Sequence, residues 1–300
     1  MNLFKRILFL ILIFFVLDFL ISTTLLKLVE ASKIRFSRLY HEKIDSEIIF
    51  IGNSRAINSF YSPYFDEISN LKSINLAYNG VSISLVKVFL EDYLERNDPP
   101  IIIVIEVTCI KEDNSGLPNF RQYIPYSKEL RKIVKEHYPK VYYTSHISKS
   151  YYYNSEYFLR TLYYLKKNDQ SWINRYTINQ NYYNSLKVDD SFTMVDKIDK
   201  NSMQLFKAIV KNCNERGITI IPVLAPIIDK YRNDTKINNY IADFESKSQM
   251  KLVDFSKEIN DINMFADEIH TNDKGANILA NKLLVLPEFV SCIRSKKSGR

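Results

Sequence analysis

The chain has 300 residues, of which 46% are hydrophobic and 25% are charged, so its composition is that of an ordinary globular protein. The formal net charge is +7, but Lys and Arg are spread along the chain without a helical basic stripe, and we expect no nucleic-acid partner. The three cysteines are far apart and odd in number, which excludes a disulfide framework and gives no metal-ligand spacing. This length predicts one large domain, or one domain with a sizeable insertion.

The chain begins with a short basic segment, residues 1–6, followed by an apolar run at 7–26. As a helix, this run is about long enough to cross a bilayer, and it predicts a single-pass transmembrane signal-anchor. Under the positive-inside rule, residues 1–6 lie in the cytoplasm and the rest of the protein is extracytoplasmic. A cleaved signal peptide built on residues 7–17 and a helix buried in a soluble protein are the alternatives. Asp18 lies inside the run, where a carboxylate is costly and indicates a partner helix or a nearby membrane boundary.

Residues 27–45 are interpreted as a mixed, charged connector, and the most informative motif of the chain follows it. The apolar run Ile48–Ile51 is typical of a buried parallel strand, and Gly52-Asn53-Ser54 suits a tight turn before a helix. This order places Ser54 at the carboxyl edge of a sheet, beside a helix N-terminus, where open α/β sheets bind their ligands. A serine in that setting can act as a nucleophile if a base lies beside it. A plain β-turn is the alternative.

Four further strands are predicted, and helical patterns separate them, so the chain contains repeated βαβ units and a parallel sheet. These strands are expected at 72–76, 101–105, 218–225 and 252–255. The main helices are expected at 81–94, 203–216, 237–250 and 274–285.

A Tyr-rich stretch at 111–195 interrupts this alternation, and we interpret it as an inserted, largely helical cap. Of the 21 tyrosines, 14 fall between Tyr123 and Tyr183. They either pack the cap onto the core or present an aromatic surface to sugar rings, because a flat ring with a polar tip suits both tasks. The basic tail at 291–300 is interpreted as a frayed, solvated end.

A carboxylate and an imidazole stand three residues apart near the C-terminus, as Asp267 and His270. If the chain folds them beside Ser54, His270 can take the serine proton, and Asp267 can orient the imidazole and stabilise its charged form. No second His or Cys lies nearby, so we expect no metal site there.

The two motifs together resemble the SGNH/GDSL hydrolase family. They are Ile51-Gly52-Asn53-Ser54-Arg55 after a strand and Asp267-Glu268-Ile269-His270 before the last helix. In character the chain is similar to the membrane-anchored members linked to cell-surface polysaccharide acylation. The resemblance covers about residues 45–110 and 196–285. It implies an α/β, flavodoxin-like three-layer sandwich with a central parallel sheet over residues 46–290, a catalytic Ser54–His270–Asp267 triad and no cofactor.

The resemblance also implies an oxyanion hole made by the backbone amides of Ser54 and Gly80. The family places an Asn after the third strand to complete this hole, whereas this chain has Glu106-Val107-Thr108 there. Asn79 or Asn114 is the candidate replacement. Arg55 either binds an anionic group of the substrate or lies on the helix surface.

These features predict a membrane-anchored serine esterase or O-acyltransferase that acts on an acetyl ester of a cell-surface polysaccharide through an acyl-enzyme. The expected partners are an acylated glycan or small ester, the membrane, and a membrane acyl-transfer protein. One alternative is a non-catalytic glycan- or protein-binding partner in a polysaccharide-modification assembly. A lipolytic enzyme that sits at its substrate by the N-terminal helix is another.

Overall fold

This computed structural model of the chain describes residues 2–188 and 197–298. Residue 1, the end of the predicted insertion at 189–195 and the last two residues of the predicted tail lie outside the described residues. The elements in chain order are α1 (Leu3–Ala31), α2 (Arg35–His41), β1 (Ile48–Ile51), α3 (Ser54–Ser59), α4 (Ser62–Ser69), β2 (Ser73–Asn75), α5 (Ile83–Arg96), β3 (Ile102–Glu106), α6 (Lys128–His137), α7 (Pro139–Ile147), α8 (Glu156–Tyr163), α9 (Gln180–Ser185), α10 (Lys200–Glu215), β4 (Thr219–Leu224), α11 (Asp234–Ser248), β5 (Val253–Asp254), α12 (Asp273–Leu284) and α13 (Pro287–Ser298).

The chain forms two compact units. The helical unit consists of Met1–Lys43 and Asn114–Asp169, and the sheet unit consists of Ile44–Asp113 and Gln170–Arg300.

The sheet unit is built on five parallel strands in the order β2-β1-β3-β4-β5, which is the flavodoxin-like order. Ile48 of β1 pairs with Ser73 of β2 on one side and with Ile102 of β3 on the other. All five predicted strands and the predicted α/β class are confirmed. Every residue of β1 and β3 is buried, which explains why both strands read as unbroken apolar runs.

Helices cover both faces of this sheet, which makes three layers. Ile48 and Phe50 of β1 belong to a core with residues of α3, α4, α12 and α13. Ile49 and Ile51 alternate with them, so they point to the opposite face, and they are equally buried. On that side α10 packs against both α5 and α11.

Helix α12 begins at Asp273, one residue before the predicted start, and Asn272 caps it. The Asn272 side chain accepts hydrogen bonds from the amides of Lys274 (3.1 Å) and Gly275 (3.2 Å). Asn272 thereby satisfies two of the unpaired donors of the first turn.

The helical unit contains α1, α2, α6, α7 and α8 around an aromatic core. Phe36 of α2 packs edge-on against Phe120, and Tyr157 of α8 contacts both rings. Tyr123 and Tyr157 are fully buried. These two tyrosines of the Tyr-rich stretch therefore pack the core of the helical unit. The segment predicted as a connector at 27–45 contains the end of α1 and all of α2, because its apolar residues enter this core.

Helix α1 is long and apolar enough to cross a membrane, a test that a signal sequence also meets. From Leu3 to Ile21, every residue of α1 except Asp18 is exposed, so the alternative of a helix buried in a soluble core is wrong. The partners of Asp18 lie at the C-terminal end of α7 and in the short 3-10 helix Lys149–Tyr153 that follows it. Its carboxylate accepts hydrogen bonds from Ser148 Oγ (2.6 Å), Lys149 N (2.7 Å) and both Ser150 N (3.1 Å) and Oγ (2.6 Å).

Over the described part of the predicted tail, residues 291–298, the chain continues as helix α13, so the prediction of a frayed end at 291–300 is wrong there. The physical reason lies earlier in the helix, where Phe289 and Cys292 are buried in the sheet-unit core. Their burial holds the helix against the sheet unit.

Candidate active site

Ser54 is held by a tight turn at the carboxyl end of β1. Gly52 has a φ of +149°, and a Cβ there would lie 3.0 Å from the Cβ atoms of both Ala56 and Glu106. Only glycine fits such a position without strain. The Asn53 side chain accepts from the amide of Arg55 (2.9 Å) and caps α3, of which Ser54 is the first residue. The Ser54 side chain is partly exposed at this edge.

Asp267 and His270 stand in a closed loop between β5 and α12. Phe265 and Thr271 form an antiparallel bridge at its base, and the amide of Ala266 donates to the carbonyl of His270 (2.9 Å). The Thr271 hydroxyl donates to the carbonyl of Asn58 in α3 (2.6 Å), so the loop is tied directly to the helix that begins at Ser54.

The structure brings Ser54, His270 and Asp267 into one hydrogen-bonded chain. His270 Nε2 lies 2.8 Å from Ser54 Oγ, and His270 Nδ1 lies 2.8 Å from Asp267 Oδ2. An ionised carboxylate only accepts hydrogen bonds, so Nδ1 must donate to Asp267. In the neutral ring, Nε2 then accepts a hydrogen bond from the serine hydroxyl. The imidazole side chain is 17% exposed, so the pair is shielded but open to a ligand on the Ser54 side.

The surroundings of the Asp267 carboxyl group favour its ionised form. Burial by itself raises the pKa of this carboxyl, but the hydrogen bond and charge of His270 and the amides of Ile269 and His270 outweigh it. The pKa of Asp267 therefore lies below its ordinary value. Its Oδ1 accepts the Ile269 amide at 3.0 Å and the His270 amide at 2.9 Å, which fixes the carboxylate plane toward the ring.

The residues predicted for the oxyanion hole lie in the turn that follows β2. Asn79 and Gly80 are exposed, and Gly80 has a φ of +69° with open space where a Cβ would stand. The amide of Tyr78 donates to the carbonyl of Gly52 (3.2 Å), so this turn begins beside the turn that holds Ser54. Asn114 belongs to the helical unit, where its amide contacts the ring of His137.

Glu106 and Thr108 occupy the place of the family Asn, and both are buried. Thr108 donates its amide (3.0 Å) and its hydroxyl to Glu106, and its Oγ1 accepts from Asn53 Nδ2 (2.9 Å). The Thr108 side chain is thus engaged within the protein rather than directed at a ligand. This network joins the end of β3 to the turn that carries Ser54.

Arg55 belongs to the same network, and the prediction that it lies on a helix surface is wrong. Its side chain is 2% exposed, with Nε 3.4 Å from Glu106 Oε1. Its Nη2 donates to the carbonyls of Ala225 and Pro226, at the end of β4. Burial lowers the pKa of the Arg55 guanidinium, and the charge of Glu106 only partly offsets this effect. A role of Arg55 in binding an anionic substrate group stays a prediction.

The motifs did not reveal two aromatic residues beside this loop. The hydroxyl of Tyr182 in α9 donates to Glu268 (2.8 Å), which lies between Asp267 and His270 in the sequence. The hydroxyl of Tyr183 donates to Asp229 (3.0 Å). Tyr182 is 46% exposed, so its ring forms a rim near the candidate site. The only sequence signal for them is the general richness of the stretch in tyrosine.

Over residues 2–188 and 197–298, no group of three His, Cys, Asp or Glu side chains is placed to hold a metal ion. The three cysteines, Cys109, Cys213 and Cys292, are all buried and unbridged. Burial raises the pKa of Cys213 to about 11, so this thiol stays protonated at neutral pH.

No protein-family model matches the chain, and no curated protein matches it in sequence. Among solved structures, the chain is similar to a protein from Streptococcus pneumonia described as a platelet activating factor, with 10% identity and a TM-score of 0.42 over 94% of this chain and 98% of that one. It is also similar to an acetyl xylan esterase, with 14% identity and a TM-score of 0.38 over 79% of this chain and 96% of that one. A protein from Bacteroides fragilis described as an acylhydrolase is 10% identical to this chain, with a TM-score of 0.42 over 87% of this chain and 95% of that one. Similarity at this level does not assign a function to this chain.

Proposed function

We propose that the protein is a membrane-anchored serine esterase or O-acyltransferase of the SGNH/GDSL type. The observation that carries this proposal is the hydrogen-bonded chain from Ser54 Oγ through the ring of His270 to Asp267, with both contacts at 2.8 Å. A serine becomes a nucleophile when a base lies within hydrogen-bond reach and a third group orients the base. His270 provides the base and Asp267 the orienting group, at the carboxyl edge of a parallel sheet, where ligands of such folds bind.

In the proposed reaction, Ser54 Oγ attacks an acyl carbonyl while His270 Nε2 takes the serine proton. Asp267 keeps the imidazole in the required tautomer and stabilises the imidazolium that forms. The amides of Ser54 and Gly80 receive the developing oxyanion. His270 then gives its proton to the leaving alcohol, and an acyl-enzyme remains on Ser54. Water releases the acyl group in an esterase, and a sugar hydroxyl takes it in a transferase.

The substrate that we propose is an acetyl ester of a cell-surface polysaccharide. Its support is the exposed ring of Tyr182, since a flat ring with a polar tip can lie against a sugar face. The family resemblance supports the same substrate class.

Retention of α1 as an anchor is part of the proposal. Asp18 receives four hydrogen bonds from residues 148–150, and Ser32, just after α1, donates its hydroxyl to the carbonyl of Thr161 (2.7 Å). Removal of a cleaved signal peptide would leave the polar groups of residues 148–150 without these partners. The contacts therefore favour an uncleaved helix, with the sheet unit on the extracytoplasmic side by the positive-inside rule.

A non-catalytic partner in a polysaccharide-modification assembly is the second candidate. The observation that favours it is the replacement of the family Asn by Glu106 and Thr108, whose side chains are engaged inside the protein. An oxyanion hole without that donor would stabilise the transition state less well.

Hydrolysis of p-nitrophenyl acetate by the full chain in a mild detergent distinguishes these candidates. We expect turnover by the wild type, and a loss of at least about 10⁴-fold in kcat in both Ser54→Ala and His270→Ala, because these residues act as one unit. The matched controls are Ser246→Ala and His137→Ala, which change exposed residues and should keep wild-type activity.

A folded wild type without turnover, and without covalent labelling of Ser54 by a serine-directed phosphonate, would favour the binding partner. Addition of a soluble glycan acceptor then separates the two enzymatic outcomes, since a transferase would move the acetyl group to the glycan.

A further inference from the structure

The helical unit contains a cavity of about 590 Å³ beside the second half of α1. Its wall on the α1 side extends from Phe19 to Glu30, and its other wall comes from residues 125–131 and 145–153. This volume is in the range of sites that hold a small molecule or a lipid headgroup.

The cavity begins where the exposed apolar surface of α1 ends. That surface extends from Leu3 to Ile21, about 28 Å at about 1.5 Å per residue, close to the hydrocarbon thickness of a bilayer. With the span placed on this surface instead of at the predicted 7–26, Lys5 and Arg6 reach back to the inner headgroups and Phe19 lies at the outer edge of the hydrocarbon. Glu30 is then about 16 Å further out, beyond the headgroups.

Asp18 holds the opposite wall of the cavity at this depth. Its four hydrogen bonds fix residues 148–150 to the helix, and Lys149, whose amide is one of the donors, also contributes to the lining of the cavity. The preceding helix α7 ends in Ile147, which is 65% exposed, and it also carries Tyr143, which is 55% exposed. Exposed apolar and tyrosine side chains at this depth suit the membrane interface.

The cavity lining carries more positive than negative charge. Arg131 and Lys149 line it together with His146, and Glu30 is the carboxylate among the lining residues. Among the described residues, no salt bridge involves Arg131 or Lys149, and the one side-chain hydrogen bond of Arg131 goes to the carbonyl of Pro125 (3.3 Å). Two cationic side chains at a lipid surface attract a phosphate group and form strong, charge-assisted hydrogen bonds with it.

We propose that this cavity binds the headgroup of an anionic phospholipid from the outer leaflet. The lipid phosphate lies against Arg131 and Lys149, the headgroup extends toward Tyr126, and the acyl chains lie along Phe19 and the exposed face of α1. This site rests on the proposed anchoring by α1 and is independent of the serine chemistry. Its effect is to hold the helical unit at the membrane surface.

Native mass spectrometry of the full chain in a mild non-ionic detergent tests this site. The protein is mixed with equal amounts of dioleoyl phosphatidylglycerol and dioleoyl phosphatidylcholine, and the fraction carrying each lipid is measured. We expect a preference for phosphatidylglycerol, and a loss of about 30-fold in its affinity in the double variant Arg131→Gln/Lys149→Gln, at a few-fold for each charge. The matched control is Lys132→Gln/Lys140→Gln, which removes the same charge from exposed positions outside the cavity and should keep the preference.

A second variant fills the cavity without changing its charge. Thr23→Trp should prevent binding of phosphatidylglycerol while leaving the protein folded. A large excess of inorganic phosphate should not displace the lipid, because the acyl chains contribute to binding; displacement would identify a free-phosphate site and overturn the proposal.

Equal binding of the two lipids by the wild type, or equal loss in the two double variants, would also overturn the site. The same spectra report the intact mass. A mass that lacks α1 would overturn the anchor and the lipid site together. An intact mass without lipid selectivity would overturn the lipid site alone, and neither result would change the outcome of the p-nitrophenyl acetate assay.

Discussion

Within the described residues, each unit buries an arginine against a carboxylate, and the two pairs differ. In the helical unit, Arg35 Nε lies 2.7 Å from Asp169 Oδ2. Burial by itself lowers the pKa of Arg35, but the charge and hydrogen bond of Asp169 outweigh it, so this pKa is raised. In the sheet unit, Arg55 Nε lies 3.4 Å from Glu106 Oε1, and burial dominates, so the pKa of Arg55 is lowered.

The difference shows which of the two pairs is organised for stability. Glu106 divides its oxygens among Arg55, Thr108 and the amide of Ala225, so it cannot satisfy the guanidinium fully. Arg55 Nη1 has no hydrogen-bond partner among the described residues, although it is buried. Incompletely satisfied buried groups are rare and are typical of functional sites. The pair beside Ser54 therefore holds the turns of three strand ends together at a cost in stability that Arg35 and Asp169 avoid.

The largest effect is expected from Asp267→Asn, which tests whether the sheet-unit network serves catalysis. The amide would present a donor to His270 Nδ1 and favour the wrong tautomer, so kcat for ester hydrolysis should fall by about 10⁴-fold. Steady-state kinetics with p-nitrophenyl acetate measure this. Glu268→Gln, one residue away, is the control and should stay within a few-fold of the wild type. Similar losses in both variants would show that the loop, rather than the carboxylate, is what matters.

The next-largest effect is expected when the arginine is removed from either buried pair, Arg35–Asp169 or Arg55–Glu106. Removal of one partner leaves a buried carboxylate without its cation, so Arg35→Met and Arg55→Met should each lower the free energy of unfolding by about 3–5 kcal/mol. Double-mutant cycles with Asp169→Asn and Glu106→Gln, measured by urea unfolding, give the coupling within each pair. We expect the larger coupling energy for Arg35–Asp169, because its hydrogen bond is direct. Equal couplings would contradict the difference that the distances indicate.

A smaller effect should depend on pH through Asp66 of α4. Burial raises the pKa of this carboxyl to about 6, with the hydrogen bonds from Ser73 partly opposing it. A raised folded-state pKa means that the contribution of this group is fully present below its ordinary value of 3.8 and is lost as pH rises through about 6. Because the side chain is half-buried, solvent screening limits the change to about 1–2 kcal/mol.

The variant Asp66→Asn should therefore flatten the decline of Tm between pH 4 and pH 6, a range set by this raised pKa. Asp273→Asn, at the partly exposed start of α12, is the control and should keep the wild-type slope. Equal changes of Tm with pH in the wild type and in Asp66→Asn would contradict the assignment.

The smallest effect is expected at a helix cap in the helical unit. The Ser127 hydroxyl accepts from the amide of Leu130 (3.0 Å) and caps α6. Ser127→Ala should cost about 1 kcal/mol of unfolding free energy and increase hydrogen exchange in the first turn of α6. Ser291→Ala, at an exposed position of α13, should change neither. Faster exchange across the whole helical unit would mean that Ser127 has a wider role than capping.

Much of the sheet unit could be predicted from the sequence, because its signals are local. The run Ile48–Ile51 needs no tertiary information to read as a buried strand, and Gly52 reports the backbone conformation that the next turn requires. The spacing of Asp267 and His270 likewise lies within one turn of chain. Their placement beside Ser54 could be expected because parallel strands end at the same edge of a sheet.

Other features could not be predicted because they depend on pairs that are distant in sequence. Asp18 pairs with residues 148–150, about 130 positions away, and Arg55 is buried by Glu106 and the end of β4. No local pattern distinguishes a buried arginine from one on a helix surface, since the difference lies in what packs on top of it. Tyr182 likewise donates to Glu268, which lies 86 positions away in the sequence.

The sequence by itself determined the strands, their parallel direction in an α/β sheet, and the serine and histidine motifs at its carboxyl edge. The reason is that apolar periodicity and turn chemistry are properties of neighbouring residues. Only the tertiary structure decided which polar groups are buried and with whom. In the folded chain, Arg55 pairs with Glu106, Thr108 bonds with Asn53, and Asp18 accepts hydrogen bonds from residues 148–150. A cavity also forms beside α1. These outcomes depend on the free energy of burying and pairing charges, and that free energy is defined only when distant parts of the chain meet.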